Sequence, residues 1–153
     1  MNDWGITTKV PAEVVLAEGI VLAGDLHLYA RPTYPPGPET VLEMLNRDDT
    51  FFALTLNGGA VTFLPKSQVV VVSCRNQVTL TDPDRATAAR HIELEVVTQG
   101  GTEYRGRAAY ELPPARSRTL DYLNGAGIFF AIDTDDVSRY VNKSRVRFAR
   151  PLD

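Results

Sequence analysis

The sequence predicts a mainly β protein, an internal duplication of a five-stranded small barrel in which each copy carries a short helix between its second and third strands. Three observations lead there. The stretch that begins at Leu45, LNRDDTFFALTLNGGAVTFLPKSQV, returns from Leu123 as LNGAGIFFAIDTDDVSRYVNKSRV, with Leu-Asn, Phe-Phe-Ala and Lys-Ser-x-Val in the same order. An internal repeat constrains architecture before local propensities do. The segments around it are short runs of alternating apolar and polar residues punctuated by turn signals, which is the pattern of strands. Strands spaced this closely favour a small closed barrel over an open sheet with exposed edges.

The first strand is the alternation of Val10, Ala12, Val14 and Leu16, repeated as Ile92-Glu93-Leu94-Glu95-Val96 in the second copy. Period-two patterning marks a strand with one wet face. Glu18-Gly19 and Gly100-Gly101 follow as hairpin turns. Each second strand then carries one glycine, Gly24 or Gly106. A glycine inside a strand marks a bend or a close backbone approach.

Arg31 to Pro38 is too rich in proline for a strand or helix interior and predicts a surface loop. Thr40 with Glu43 has the form of a capping box, predicting a helix of a turn or two near Val41 to Leu45. Thr119 caps the equivalent helix near Leu120 to Asn124, and Gly125 stops it. Phe51 to Leu56 and Ala60 to Leu64 flank Asn57-Gly58-Gly59, a strong hairpin signal. Pro65-Lys66-Ser67 then breaks the chain before a last strand from Gln68. The copies span residues 1–76 and 90–153, joined by a linker at 77–89.

The chain has 153 residues, 44% hydrophobic and 23% charged, with a formal net charge of -3. This is ordinary globular composition, and each copy is near the lower size limit for folding alone. Cys74, the single cysteine, leaves no internal disulfide, and no thiolate metal site or cofactor is predicted. No apolar run approaches a membrane span and the first residues do not form a signal peptide, so a cytoplasmic location without membrane contact is expected.

The apolar strand, acidic-Gly turn and glycine-bent second strand resemble the first signature of the Sm-like and SH3-like small barrels. Tyr140-Val141-Asn142-Lys143-Ser144-Arg145-Val146 resembles the turn before the last strand in the bacterial Hfq branch. The chain is also similar to uncharacterised bacterial proteins with a Leu-Asn helix and an Asn-Lys turn in each unit. The resemblance implies RNA binding by Lys143 and its neighbours at a subunit boundary of a ring. Ser144 stands where the Hfq branch has histidine, and Pro65 takes the place of Asn142 in the first copy.

His27 and His91 lie on unrelated elements, and neither has a neighbour in sequence that would make it a general acid or base. Asp135-Asp136 reads as a hairpin turn. Arg139, Lys143, Arg145 and Arg147 form a basic stretch able to meet phosphates, with Arg105, Arg107 and Arg150 in the same copy, although a solvated, partly salt-bridged face is the favoured account of it. The first functional reading is a non-enzymatic binding or assembly module with a protein partner, homo-oligomers included. Nucleic-acid binding through the basic face of the second copy is the alternative, and an enzyme is the second alternative. In the last strand of copy one, Val69 and Val71 are expected to point into their own barrel. Val70 and Val72 are expected to be covered from outside by barrel two, with Phe51 as a further member of that inter-barrel or partner interface.

Overall fold

The computed structural model describes residues 7–32, 34–75, 90–110 and 119–152. The first half contributes β1 (Thr8–Leu16), β2 (Val21–Leu28), α1 (Val41–Asn46), β3 (Phe51–Leu56), β4 (Val61–Pro65) and β5 (Val69–Arg75). The second contributes β6 (Arg90–Thr98), β7 (Glu103–Tyr110), α2 (Thr119–Leu123), β8 (Phe129–Asp133), β9 (Val137–Asn142) and β10 (Val146–Pro151). The expected linker at 77–89 lies outside the described residues.

Among the described residues every strand pairing is antiparallel, and the strands form one 10-stranded sheet in the order β10-β6-β7-β8-β9-β5-β1-β2-β3-β4. Within it the halves follow one plan, β5-β1-β2-β3-β4 and β10-β6-β7-β8-β9. Two barrels, each closed on itself, are not what forms. Closure would leave β5 to find its outer partner in its own half; it pairs instead with β9, so its backbone groups are satisfied by the other half and the sheet stays open. Among the described residues, β4 and β10 are the free edges.

Local chemistry accounts for the turns. Glu18 and Gly19 take φ of 67° and 83° between β1 and β2, and Gly100 and Gly101 take 91° and 86° between β6 and β7. These are left-handed values that glycine adopts without a Cβ penalty. Thr40 Oγ1 accepts from the Glu43 amide at 3.0 Å while Glu43 Oε1 accepts from the Thr40 amide at 2.9 Å, a reciprocal capping box that starts α1. Thr119 behaves otherwise, being the first helical residue of α2 and not the residue ahead of it.

Two hydrophobic cores form, and the seam between halves runs through both. The first gathers Val14, Leu26, Leu54, Val69 and Val72 beneath Met44 and Leu45 of α1, together with Phe129, Ala131 and Tyr140 from the second half. The second gathers Leu94, Val96, Ala108, Phe130, Ile132 and Val141, together with Val71 from the first half. β8 therefore alternates between the cores, Phe129 and Ala131 to one and Phe130 and Ile132 to the other. A strand covered on both faces is apolar throughout.

β5 departs from the expected alternation. The β1–β5 register pairs Val15 with Val71 and Leu16 with Val69, leaving Val70 as the extra residue of a bulge. A bulge reverses the parity of everything beyond it. Val69 thus joins the first core, Val71 crosses to the second, and Val72 and Cys74 return to the first. β10 carries the same irregularity, with Arg147 skipped between Val146↔Thr98 and Phe148↔Val97.

Gly24 and Gly106 each let the third strand of their half approach the second. A Cβ on Gly24 would lie 2.2 Å from the Thr55 carbonyl oxygen, and one on Gly106 would lie 3.0 Å from the Asp133 amide nitrogen. Overpacking against backbone costs about 1–3 kcal/mol. Gly24→Ala is expected to lower the unfolding free energy measured in urea by an amount in that range, and Gly106→Ala by less. Equal effects would show that the closer approach at Gly24 is not the tighter constraint.

Candidate functional site at the seam between the halves

The seam is an antiparallel ladder in which Val71, Val72, Ser73, Cys74 and Arg75 of β5 face Val141, Tyr140, Arg139, Ser138 and Val137 of β9. Three polar side chains fasten it. Asn142 is fully buried, and its Nδ2 donates to the carbonyls of Lys66 at 3.1 Å and Val69 at 2.9 Å. Its Oδ1 accepts from the Ser144 amide at 3.0 Å and hydroxyl at 2.8 Å, so the carboxamide satisfies the turn at Lys143–Arg145 and the start of β5 together. Asn46, at the end of α1, accepts from the amides of Ile128 and Phe129 at 2.8 Å each and donates to the Phe129 carbonyl at 3.2 Å. Arg145 reaches the Ser67 carbonyl through Nε at 2.9 Å and Nη2 at 2.6 Å, and Gln99 through Nη1 at 3.0 Å.

The two lysines of the repeated Lys-Ser motif hold helix ends. Lys66, buried, donates from Nζ to the carbonyls of Met44 at 3.2 Å, in the last turn of α1, and Arg47 at 2.9 Å, just past it. Lys143 donates to the Gly125 carbonyl at 2.8 Å, just past α2. A cation beside free carbonyls at a helix C-terminus is favourable. Burial holds both ammonium groups below the ordinary lysine pKa.

An open groove of about 520 Å³ lies over the seam, bordered by Glu13 and Gly24 of the first half and by Tyr104 and Arg139 of the second, with Cys74 and Asn57 also on its walls. The Arg139 guanidinium sits 5.3 Å from the Tyr104 ring centroid, a cation–π contact that fixes the cation over the groove. Burial raises the Tyr104 phenol above its usual pKa, against the lowering influence of Arg139.

The structure disperses the basic residues singled out in the sequence. Arg139 faces the groove, Lys143 and Arg145 are engaged with backbone carbonyls, and Arg147 is exposed at the β10 bulge. Arg105 and Arg150 both pair with Glu95 at 3.0 Å, and Arg107 pairs with Asp135 at 2.9 Å. Val70 and Val72 are buried at the seam, whereas Phe51 lies exposed, away from it. Asn46 and Asn142 carry more of the seam than any of these. The signal for Asn46 was the repetition itself, since Leu45-Asn46 recurs as Leu123-Asn124, whereas Asn142 has Pro65 in its place in the first half.

His27 is buried on β2 with Nε2 2.7 Å from Thr55 Oγ1 and Nδ1 3.0 Å from Thr7 Oγ1, tying β2 to β3. Among the described residues, no group of three or more His, Cys, Asp or Glu is placed to hold a metal ion, and no helix is long and apolar enough to cross a membrane. No family model, curated protein or solved structure matches the chain.

Removing the Asn142 carboxamide strands two buried carbonyls and an amide, and an unsatisfied buried group costs about 1–3 kcal/mol. Asn142→Ala is expected to destabilise the chain by at least that much in urea unfolding, whereas Arg147→Ala should stay within about 0.5 kcal/mol of the parent. A second expectation concerns acid. Burial, then Lys9, lowers the His27 pKa while Asp25 opposes them. The unfolded chain therefore takes up this proton first, and stability falls as pH drops through the ordinary histidine value of about 6.5 toward the lower folded-state value. The difference in unfolding free energy between the parent and His27→Gln should shrink between about pH 7.5 and pH 5.5. A constant difference would mean that the imidazole environment is the same folded and unfolded.

Proposed function

We propose that this chain is a non-enzymatic binding and assembly module, made of two copies of an Sm-like or SH3-like small-barrel unit joined edge to edge, whose partners are proteins. The unit reading is supported by the shared strand order, by the glycine at the same place in each second strand, and by the shared bulge in each last strand.

The observation that carries the functional reading is where the exposed apolar side chains lie. Val61 and Phe63 on β4, with Phe51 beside them on β3, and Phe148 on β10, with Leu152 just beyond it, are exposed at or beside the two free edges of the sheet. A free edge offers a row of backbone donors and acceptors as well, so that a partner gains hydrogen bonds and apolar burial together. The cations most suited to phosphate, Lys143 and Arg145, are instead engaged in holding turns.

Affinity capture of the tagged full-length chain from its native cell, analysed for protein and RNA together, tests the reading. Protein is expected to be recovered through wild type and lost when Phe63→Asp charges the β4 edge. Binding of short single-stranded RNA that weakens steeply with salt, and that Lys143→Ala abolishes at unchanged stability, would overturn it in favour of nucleic-acid binding.

A further inference from the structure

The ladder between β1 and β5 stops before either strand does. It runs from Leu16↔Val69 to Glu13↔Ser73, although β1 begins at Thr8 and β5 continues to Arg75. Pro11, two residues back from Glu13 and on the same face of β1, has no amide hydrogen with which to extend it. The strands part there, and Pro11 and Arg75 both line the groove of about 520 Å³ over the seam. Such a volume falls in the range of about 300–1,000 Å³ common to small-molecule sites.

The register sorts the charges of this groove. Ala23, Glu13, Ser73 and Arg139 form one row across β2, β1, β5 and β9, each directly opposite the next. Directly paired residues present their side chains on one face, so Glu13 and Arg139 stand on either side of Ser73. Two strand spacings of about 4.8 Å put their Cα atoms roughly 10 Å apart. Arg75 lies two residues along β5 from Ser73, hence on the same face, and brings a second guanidinium. Among the described residues Arg75 and Arg139 have no carboxylate partner and Glu13 no cationic one, whereas Arg31, Arg47, Arg105, Arg107 and Arg150 are each paired with an acid. Tyr104 feels both signs: burial raises its phenol pKa, Arg139 lowers it and Glu13 raises it.

We propose that the groove binds a small zwitterion of the amino-acid and dipeptide class, its carboxylate against Arg139 and Arg75 and its ammonium against Glu13. A planar guanidinium presents a fork of N–H donors that matches a carboxylate. Val15, Val137 and Pro11 border the same space and offer apolar cover to a ligand side chain. Glu13 sets the selectivity, since it attracts an ammonium and repels the accumulated negative charge of a phosphate chain. The site is carried by the central strands and not by the edge strands β4 and β10, so it stands independently of the protein-partner reading.

Calorimetric titration of the full-length chain tests this, with leucine and alanyl-leucine as the probes. At least one is expected to bind with a dissociation constant below about 1 mM. The N-acetyl derivative of that probe, which lacks the ammonium, and its C-terminal amide, which lacks the carboxylate, should each bind at least about tenfold more weakly. Glu13→Gln should weaken the parent probe by a similar factor and leave its acetylated form unchanged, because only the parent carries the charge that Glu13 meets. Arg139→Gln should weaken the parent and leave its amide unchanged, and Arg75→Gln serves if loss of the Tyr104 contact keeps Arg139→Gln from folding. Failure of both probes to bind, an acetylated or amidated probe that binds as well as its parent, or variants that bind as wild type does overturns the proposal. Inorganic phosphate bound more tightly than either probe overturns it as well and marks a simple anion site.

Discussion

The β5–β9 ladder decides how this molecule is built. Because β5 and β9 bond each other, Val71 packs with Phe130 and Ile132, while Phe129 and Tyr140 pack with Val72 and Leu54. The apolar contacts that stabilise one half are thus partly supplied by the other. Asn142, Asn46 and Arg145 then fix the register, since each bonds backbone across the seam and a slip by one residue would leave those groups unpaired.

Much of the charge is spent on holding the chain in place. Lys66 and Lys143 close helix ends, Arg145 spans the seam, and Glu95, buried on β6, draws in both Arg105 and Arg150. Removing one partner from a buried charge is costly, while an exposed pair such as Arg107–Asp135 contributes little. A count of basic residues in the second half therefore overstates the positive surface offered to a ligand. Arg139, held over Tyr104, and Arg75 border the open groove at the seam.

The sequence made the order of parts legible because each part has a local cause: positive φ at Gly19 and Gly101, the capping box at Thr40 and Glu43, and the close approach at Gly24. The repeat then carried the reading from one half to the other. What stayed hidden depends on pairing between distant segments. Nothing local tells Val71 that Val70 is skipped opposite β1, yet that single bulge reverses which core every later side chain enters. Closure was misread for the same reason, since an edge strand looks alike whether its partner comes from its own half or the other. At the site, Val70 and Val72 read as one outward face, but the bulge turns Val72 into the first core, and Asn46 and Asn142 read as motif letters until their carbonyl and amide partners were seen.

The alternation of β8 between two cores separates two meanings of the word domain. The repeating unit ends where the second half begins, but the cooperative unit does not. Unfolding the first half would strip Phe129, Ala131 and Tyr140 of their cover, and unfolding the second would strip Val71. Each half takes part of its apolar cover from the other, so the duplicated chain is expected to melt as one body. Once two such units share strands in this way, neither can be lost or exchanged without the other, and a doubled gene becomes a single physical object.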